Sequence, residues 1–105
     1  MILNLGREMQ KLSINSIGYL LQKKKLKSQA HNLKPVVMIG QAGLTTGVLA
    51  EIELALNSHE LIKVKIRAER DERKVLSEKI CNETMAELIQ SIGQIIVIYR
   101  LNPNK

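Results

Sequence analysis

The stretch VVMIGQAGLTTGVLAEIELAL, residues 36–56, decides the fold. Its first four residues, 36–39, are a continuous apolar run that predicts a short strand buried on both faces. The G-x-x-G sequence at 40–43 then predicts a turn, and Thr45 or Thr46 is suited to the N-cap of a helix that ends near Ser58. The side of this helix predicted to face the core carries Val48, Leu49, Ile52, Ala55, Leu56 and His59.

Upstream of this stretch, SIGYLLQKKKLKSQA at 16–30 has the spacing of a helix. Its lysines give it a broadly basic outer surface, and Pro35 pushes Lys34 toward extended geometry and stops the helix before it. The apolar side of this first helix is predicted to carry Ile17, Leu20, Leu21, Leu26 and Ala30.

Downstream, LIKVKIR at 61–67 alternates strictly between apolar and basic residues, which is typical of a strand with two different faces. A third helix is predicted over 71–86, with Asp71 as its cap. Two strands at 87–92 and 95–100 flank Gly93-Gln94 and form a hairpin. The inward side of the third helix is predicted to carry Val75, Leu76, Ile80 and Met85.

The element order is therefore α-β-α-β-α-β-β. Two strand-helix-strand crossovers followed by a hairpin predict an α/β fold, a single compact domain in which three helices pack on a four-stranded mixed sheet. A length of 105 residues fits one such domain and is too short for two.

The chain is basic, with 16 Lys and Arg against 10 Asp and Glu and a formal charge of +6, which favours an anionic partner. Cys81 is the only cysteine, so no internal disulfide is possible and a reducing compartment is expected. The N-terminal residues contain Arg7, Glu8 and Lys11 and lack a continuous apolar signal region, and no segment is long and apolar enough for a membrane span. We expect a cytoplasmic protein that does not contact membranes.

The loop Gly40-Gln41-Ala42-Gly43 has two interpretations. Free N–H groups at a helix start, with glycines that admit close approach, can bind a phosphate. The same spacing also occurs in an ordinary strand-to-helix turn, which the motif by itself favours. The loop lacks the Gly-Lys-Ser/Thr ending of a nucleoside triphosphate site and the third glycine of a dinucleotide site.

The alternation at 61–67 places Lys63, Lys65 and Arg67 on one face of a strand, about 6 to 7 Å apart, which is close to the separation of phosphates along a nucleic-acid strand. The alternative is an ordinary solvated sheet face. Among ionisable residues, His31, His59 and Cys81 make no credible zinc set, and Glu51 and Glu53 point apart on their helix. The sequence gives no positive sign of catalysis, of a metal or of a cofactor.

Taken together, LKSQAHNLKPVVMIGQAGLTTGVLAEIELALNSHELIKVKI at 26–66 and the IGQIIVIYR hairpin closely resemble the YhbY-like CRM domain, the chloroplast RNA splicing and ribosome maturation family. The AH-x-LKPVV segment, the G-x-x-G-LT turn and the HELIKVKI strand occur in order at the family's spacing. The resemblance implies a fold similar to the C-terminal domain of a translation initiation factor. It also implies RNA binding without catalysis, with ribosomal RNA of large-subunit precursors as the partner and ribosomal proteins as possible further partners.

The resemblance assigns the RNA-contacting loop to Gly40, Gln41, Ala42 and Gly43. Basic residues around it are expected to neutralise phosphates: Lys27, Lys34, Lys63, Lys65 and Arg67. Residues 1–16 are interpreted as an N-terminal extension, 17–101 as the domain and 102–105 as a tail. Because aromatic residues are nearly absent, recognition of RNA shape and backbone is expected in place of base stacking. The rival hypothesis is a protein-interaction module that docks on ribosomal or assembly proteins; a small phosphate-ligand enzyme is a third and lacks a catalytic group.

Overall fold

The computed structural model describes residues 18–102, so the predictions for Ile17, for the extension at 1–16 and for most of the tail lie outside the described residues. The described part of the chain contains three helices and four strands in the predicted order. The helices are α1 at 18–30, α2 at Thr46–His59 and α3 at Arg70–Thr84. The strands are β1 at Pro35–Ile39, β2 at Leu61–Ile66, β3 at Glu87–Ile92 and β4 at Ile95–Tyr99.

The four strands form one mixed sheet in the order β1-β2-β4-β3. Strand β1 runs parallel to β2 through the α2 crossover, while β4 is antiparallel to both of its neighbours. The hairpin between β3 and β4 turns at Gly93, whose φ of 55° suits a residue without a side chain. The predicted α/β fold with a four-stranded mixed sheet is confirmed.

Helices α2 and α3 both pack on one face of the sheet. The core there is aliphatic, as the composition without Phe or Trp requires, and its residues are almost inaccessible to solvent. Helix α2 contributes Ile52 and Leu56, and α3 contributes Ile80. The sheet side of this core consists of alternate strand residues: Val37, Ile39, Ile62, Val64, Ile66, Ile96 and Ile98.

Helix α1 crosses the opposite face, here called the α1 face. Leu26 and Ala30 of α1 pack on Ile89 of β3 and Val97 of β4, with Tyr99 beside them. Because this second core is small, α1 leaves part of the α1 face uncovered.

The predicted burial of β1 is wrong on the α1 face of the sheet. The run at 36–39 was predicted to be buried on both faces, but Val36 and Met38 are each 51% exposed. The reason is topological: β1 is an edge strand of the sheet, and the buried residues of α1 pack on β3 and β4. Only Val37 and Ile39, which face α2 and α3, are buried.

The predicted inner side of α1 is also wrong at Leu20 and Leu21, which are strongly exposed. At about 100° per residue these two leucines lie roughly 120° or more around the helix from Leu26. The residues on the same side as Leu26 are Tyr19 and Lys23, whose ring and ammonium group are 5.8 Å apart. Glu87 of β3 raises the pKa of Tyr19 above its ordinary value, first by accepting a hydrogen bond from the phenol.

Helix α3 differs from its prediction in part of its inner side and at both ends. Val75 is 63% exposed, and Met85 follows the helix as an exposed residue with left-handed backbone. The N-cap is Glu69, so Asp71 lies in the first turn instead. Two hydroxyl side chains take the inward positions: Ser77 and Thr84 are buried and donate to the carbonyl oxygens of Arg73 and Ile80, both over 2.7 Å. Leu76 and Ile80 pack on the core as predicted, whereas Val75 and Met85 do not.

Helix α2 follows its prediction closely. Thr45 is the N-cap, and its Oγ1 accepts a hydrogen bond from the N–H of Val48 at 3.1 Å. Ile52 and Leu56 are buried and Val48, Leu49 and Ala55 are partly buried, but His59 is exposed at the last turn and is not part of the inner side.

Arg100, which follows β4, connects that strand to helices α2 and α3. Its Nη1 donates to Glu53 Oε2 of α2 and to the carbonyl oxygen of Thr84 in α3, both over 2.8 Å, and its Nη2 donates to Asn57 Oδ1 over 2.9 Å. The next segment is attached to α2 as well, since the side-chain amide of Asn102 donates to the carbonyl oxygen of Asn57 over 2.9 Å, and its backbone N–H donates to a carboxylate oxygen of Glu60, just after the helix. None of the helices in the described residues is long and apolar enough to cross a membrane.

Candidate nucleic-acid interface

The glycine loop, residues 40–43, joins the end of β1 to the start of α2. The N–H of Gly43 donates to the carbonyl oxygen of Gly40 over 3.1 Å, which closes a tight turn with Gln41 and Ala42 at its exposed tip. Gly43 has a φ of 73°, a conformation that strains any residue with a Cβ. Gly40 has no such constraint, and a Cβ built on it meets no atom within 4 Å. The turn therefore requires one glycine, while the other keeps the approach to the backbone open.

The N-terminal end of α2 is electropositive. Its first N–H groups have no partner within the helix, and the side chain of Thr45 satisfies that of Val48. The first turn contains no acidic residue that would offset the positive end of the helix dipole. Leu44 and the N-cap Thr45 connect the glycine loop to this end of the helix.

Lys63, Lys65 and Arg67, here called the cation row, extend along β2 beside β1. Lys63 is paired with Pro35 at the start of β1, and Lys65 with Met38 near its end. Arg67 follows β2, and its N–H donates to the carbonyl oxygen of Ile39 over 2.9 Å, immediately before Gly40. The cation row thus leads to the glycine loop.

The two lysines of the cation row lie on the α1 face. The predicted alternation of β2 is confirmed, because Ile62, Val64 and Ile66 are buried under α2 and α3 while the lysines between them are partly exposed. Lys63 has a second contact: its Nζ donates to the carbonyl oxygen of His31, just after α1, over 3.4 Å. A local sequence pattern could not predict that contact, because 32 residues separate the partners.

The two remaining predicted lysines line two different clefts. Lys27 and Lys63 line the same cleft between α1 and the sheet, which also contains side chains of β3 and β4. Lys34 lines a second cleft with Leu33 and Val36. Because Lys34 precedes β1 and the glycine loop follows it, roughly 20 Å separates them at about 3.3 Å per residue. One phosphate cannot contact both.

The described residues do not form a metal site or an activated nucleophile. Within residues 18–102 no three His, Cys, Asp or Glu side chains are arranged to hold a metal ion. Glu53 is engaged by Arg100. Burial, followed by the nearby Glu87 carboxylate, raises the pKa of the Cys81 thiol, which opposes formation of a nucleophilic thiolate.

Sequence comparison places this architecture among known proteins. The family model of the CRS1 / YhbY (CRM) domain matches residues 21–100. The chain is 54% identical over 83 residues to "Probable RNA-binding protein PA4753" of Pseudomonas aeruginosa, covering 78% of this chain and 80% of that protein. It is 56% identical over 80 residues to an RNA-binding protein of Haemophilus influenzae, covering 75% of this chain and 81% of the relative.

Structural comparison agrees with the sequence relationship. The solution structure of the hypothetical protein SAV1595 from Staphylococcus aureus, a candidate RNA-binding protein, has a TM-score of 0.69 and 41% sequence identity. The similarity covers 76% of this chain and 84% of that one. The matched family region includes the glycine loop, the cation row and every helix and strand that positions them, except the first residues of α1. This chain therefore belongs to the CRS1 / YhbY (CRM) domain family.

Proposed function

We propose that this protein binds structured RNA through the glycine loop and the cation row, and that the RNA is ribosomal RNA in precursors of the large ribosomal subunit. The observation that carries the proposal is the position of Arg67, which brings the end of the cation row next to the start of the glycine loop. The relatives named as RNA-binding proteins support the RNA partner.

The proposed mechanism is recognition of the RNA backbone. One phosphate approaches the exposed amides of the glycine loop, and adjacent phosphates are neutralised in turn by Arg67, Lys65 and Lys63. Lys27 and Lys34, which line two different clefts, extend the basic surface away from the loop. Neither Tyr19 nor Tyr99 lies in the loop or the row, so base stacking on aromatic rings has no part in this mechanism.

A salt titration of purified protein with a structured RNA tests the binding itself. If four to six phosphates are neutralised, log K plotted against log salt concentration should fall with a slope of about −3 to −5. RNA that co-purifies with the protein should be sensitive to nuclease and released by high salt. Affinity that does not change with salt would contradict the proposed mechanism.

Sedimentation of cell lysate tests the ribosomal partner. We expect the protein to migrate with large-subunit or pre-large-subunit particles at low salt and to leave them at high salt. Sedimentation only at the top of the gradient in both conditions would contradict stable association with ribosomal particles. Association that survives both nuclease and high salt would instead favour the rival hypothesis, a module that docks on ribosomal or assembly proteins.

A further inference from the structure

A cleft of about 680 Å³ opens between the C-terminal half of α1 and the α1 face of the sheet. We call it the α1 cleft. Its floor is aliphatic and consists of Ile92, Ile95 and Val97 from two adjacent strands. Ile92 pairs directly with Ile95, and although Val97 is buried, Ile92 is 60% exposed. The exposed part of this floor is a surface against which a planar apolar group can pack.

The rim of the α1 cleft is polar and cationic. Lys27 lines it from α1 and Lys63 from β2, with the side chains of His31, Asn32 and Gln90 around them. Among the described residues that line the cleft, none is acidic. The charge therefore favours an anionic occupant, and the amides can exchange hydrogen bonds with its polar edge.

The α1 cleft is continuous with the cation row. Lys65 pairs with Met38 on one side and with Ile95 on the other, and Ile95 pairs with Ile92. These four residues form one line across the whole sheet, and all of them lie on the α1 face. A nucleic-acid strand whose phosphates follow the cation row would therefore have the aliphatic floor beside it.

We propose that the α1 cleft binds one unpaired nucleotide of the RNA. Its base packs on Ile92 and Ile95, and its phosphate contacts Lys27 and Lys63. A nucleotide is the partner that combines a negative charge, a planar ring and a hydrogen-bonding edge in one unit. This inference rests on the proposed RNA-binding function and adds a site for a base to a surface that otherwise contacts only the backbone.

Two RNA ligands test the inference: a blunt-ended hairpin, and the same hairpin with a short unpaired tail. We expect the tail to tighten binding by roughly three- to tenfold, as expected for contact of one base face with aliphatic side chains. Ile92→Ser should remove most of the advantage that the tail gives. Val75→Ser, which removes a similarly exposed aliphatic group from the outer side of α3, should keep the advantage of the tail.

A second measurement does not depend on RNA affinity. Uridine monophosphate should shift the methyl NMR signals of Ile92 and Ile95 but not that of the buried Ile52, and inorganic phosphate at the same concentration should leave all three in place. Equal binding of the two hairpins by the wild-type protein would overturn the inference while leaving the proposed function intact. Failure to bind either hairpin would overturn both.

Discussion

The N–H of Arg67 donates a hydrogen bond to the carbonyl oxygen of Ile39 over 2.9 Å. This one bond extends the pairing of the parallel strands β1 and β2 past the end of β2. It fixes the last residue of the cation row beside the first residue of the glycine loop. The proposed RNA surface depends on this adjacency, because each of the two features by itself is common in proteins that bind no nucleic acid.

Removing Lys65 should weaken RNA binding in a salt-dependent way. Because Lys65→Gln removes one phosphate contact, the magnitude of the slope of log K against log salt should fall by about one. Lys79 is an exposed lysine of α3, on the side of the sheet opposite the α1 face. Lys79→Gln should therefore leave the slope unchanged. Equal slopes for the wild-type protein and Lys65→Gln, measured by fluorescence anisotropy, would remove Lys65 from the interface.

The two glycines of the loop should respond differently to substitution. Gly40 has open space around it and no positive φ, so Gly40→Asp should fold normally and still lower RNA affinity by at least about tenfold, because its carboxylate repels the phosphate. Gly43→Ala should lose about 1 kcal/mol of stability, because its φ of 73° strains a residue with a Cβ. Urea unfolding and anisotropy titrations of both variants separate the two effects. An unaltered affinity of folded Gly40→Asp would show that no phosphate approaches the loop.

Arg100 should be important for stability and not for RNA binding. Arg100→Ala leaves the carbonyl oxygen of Thr84 and the side chains of Glu53 and Asn57 without their donor, which should cost about 2–3 kcal/mol in the free energy of unfolding. Glu53→Gln is the matched control, because the ion pair is partly exposed and its loss should cost less than about 1 kcal/mol. A thermal melt of Arg100→Ala that matches wild type would contradict this role.

Met85 offers a stabilising substitution. It ends α3 with φ 61° and ψ 21°, and its side chain is 82% exposed, so little packing is lost when it is removed. Met85→Gly should raise the free energy of unfolding by about 0.5–1 kcal/mol, because glycine adopts this backbone without strain. Glu60 also has a positive φ, but its carboxylate accepts a hydrogen bond from Asn102 over 2.7 Å. Glu60→Gly should therefore gain less than Met85→Gly, or lose stability, in the same urea titration.

Cys81 should make the protein less stable at alkaline pH. Its pKa is raised in the folded state, so above about pH 8.5 the unfolded chain releases this proton first and unfolding becomes more favourable. The free energy of unfolding should fall as the pH rises from about 8 to 9.5, and Cys81→Ser should remove part of that decline. Parallel slopes for the two proteins would show that the thiol does not contribute.

Much of the fold was predictable because its signals are local. The alternation in LIKVKIR identifies β2 and the face of each of its side chains, and the glycines with Thr45 identify a strand-to-helix turn. The predictions that failed concern burial. Leu20 and Val75 were placed on inner sides that belong to Lys23 and Ser77, because apolar character does not fix the phase of a helix whose inner side includes polar groups.

The sequence by itself determined the order of the elements, the turn that requires Gly43 and the three cations on alternate positions, since each depends on residues within a few positions of one another. Only the tertiary structure decided that Arg67 lies beside the glycine loop, that Lys27 shares a cleft with Lys63 and that Ile92 belongs to the same surface. These relationships arise from the strand order β1-β2-β4-β3 and from the path of α1 across the sheet. Both are contacts between residues far apart in the chain, which no local pattern specifies.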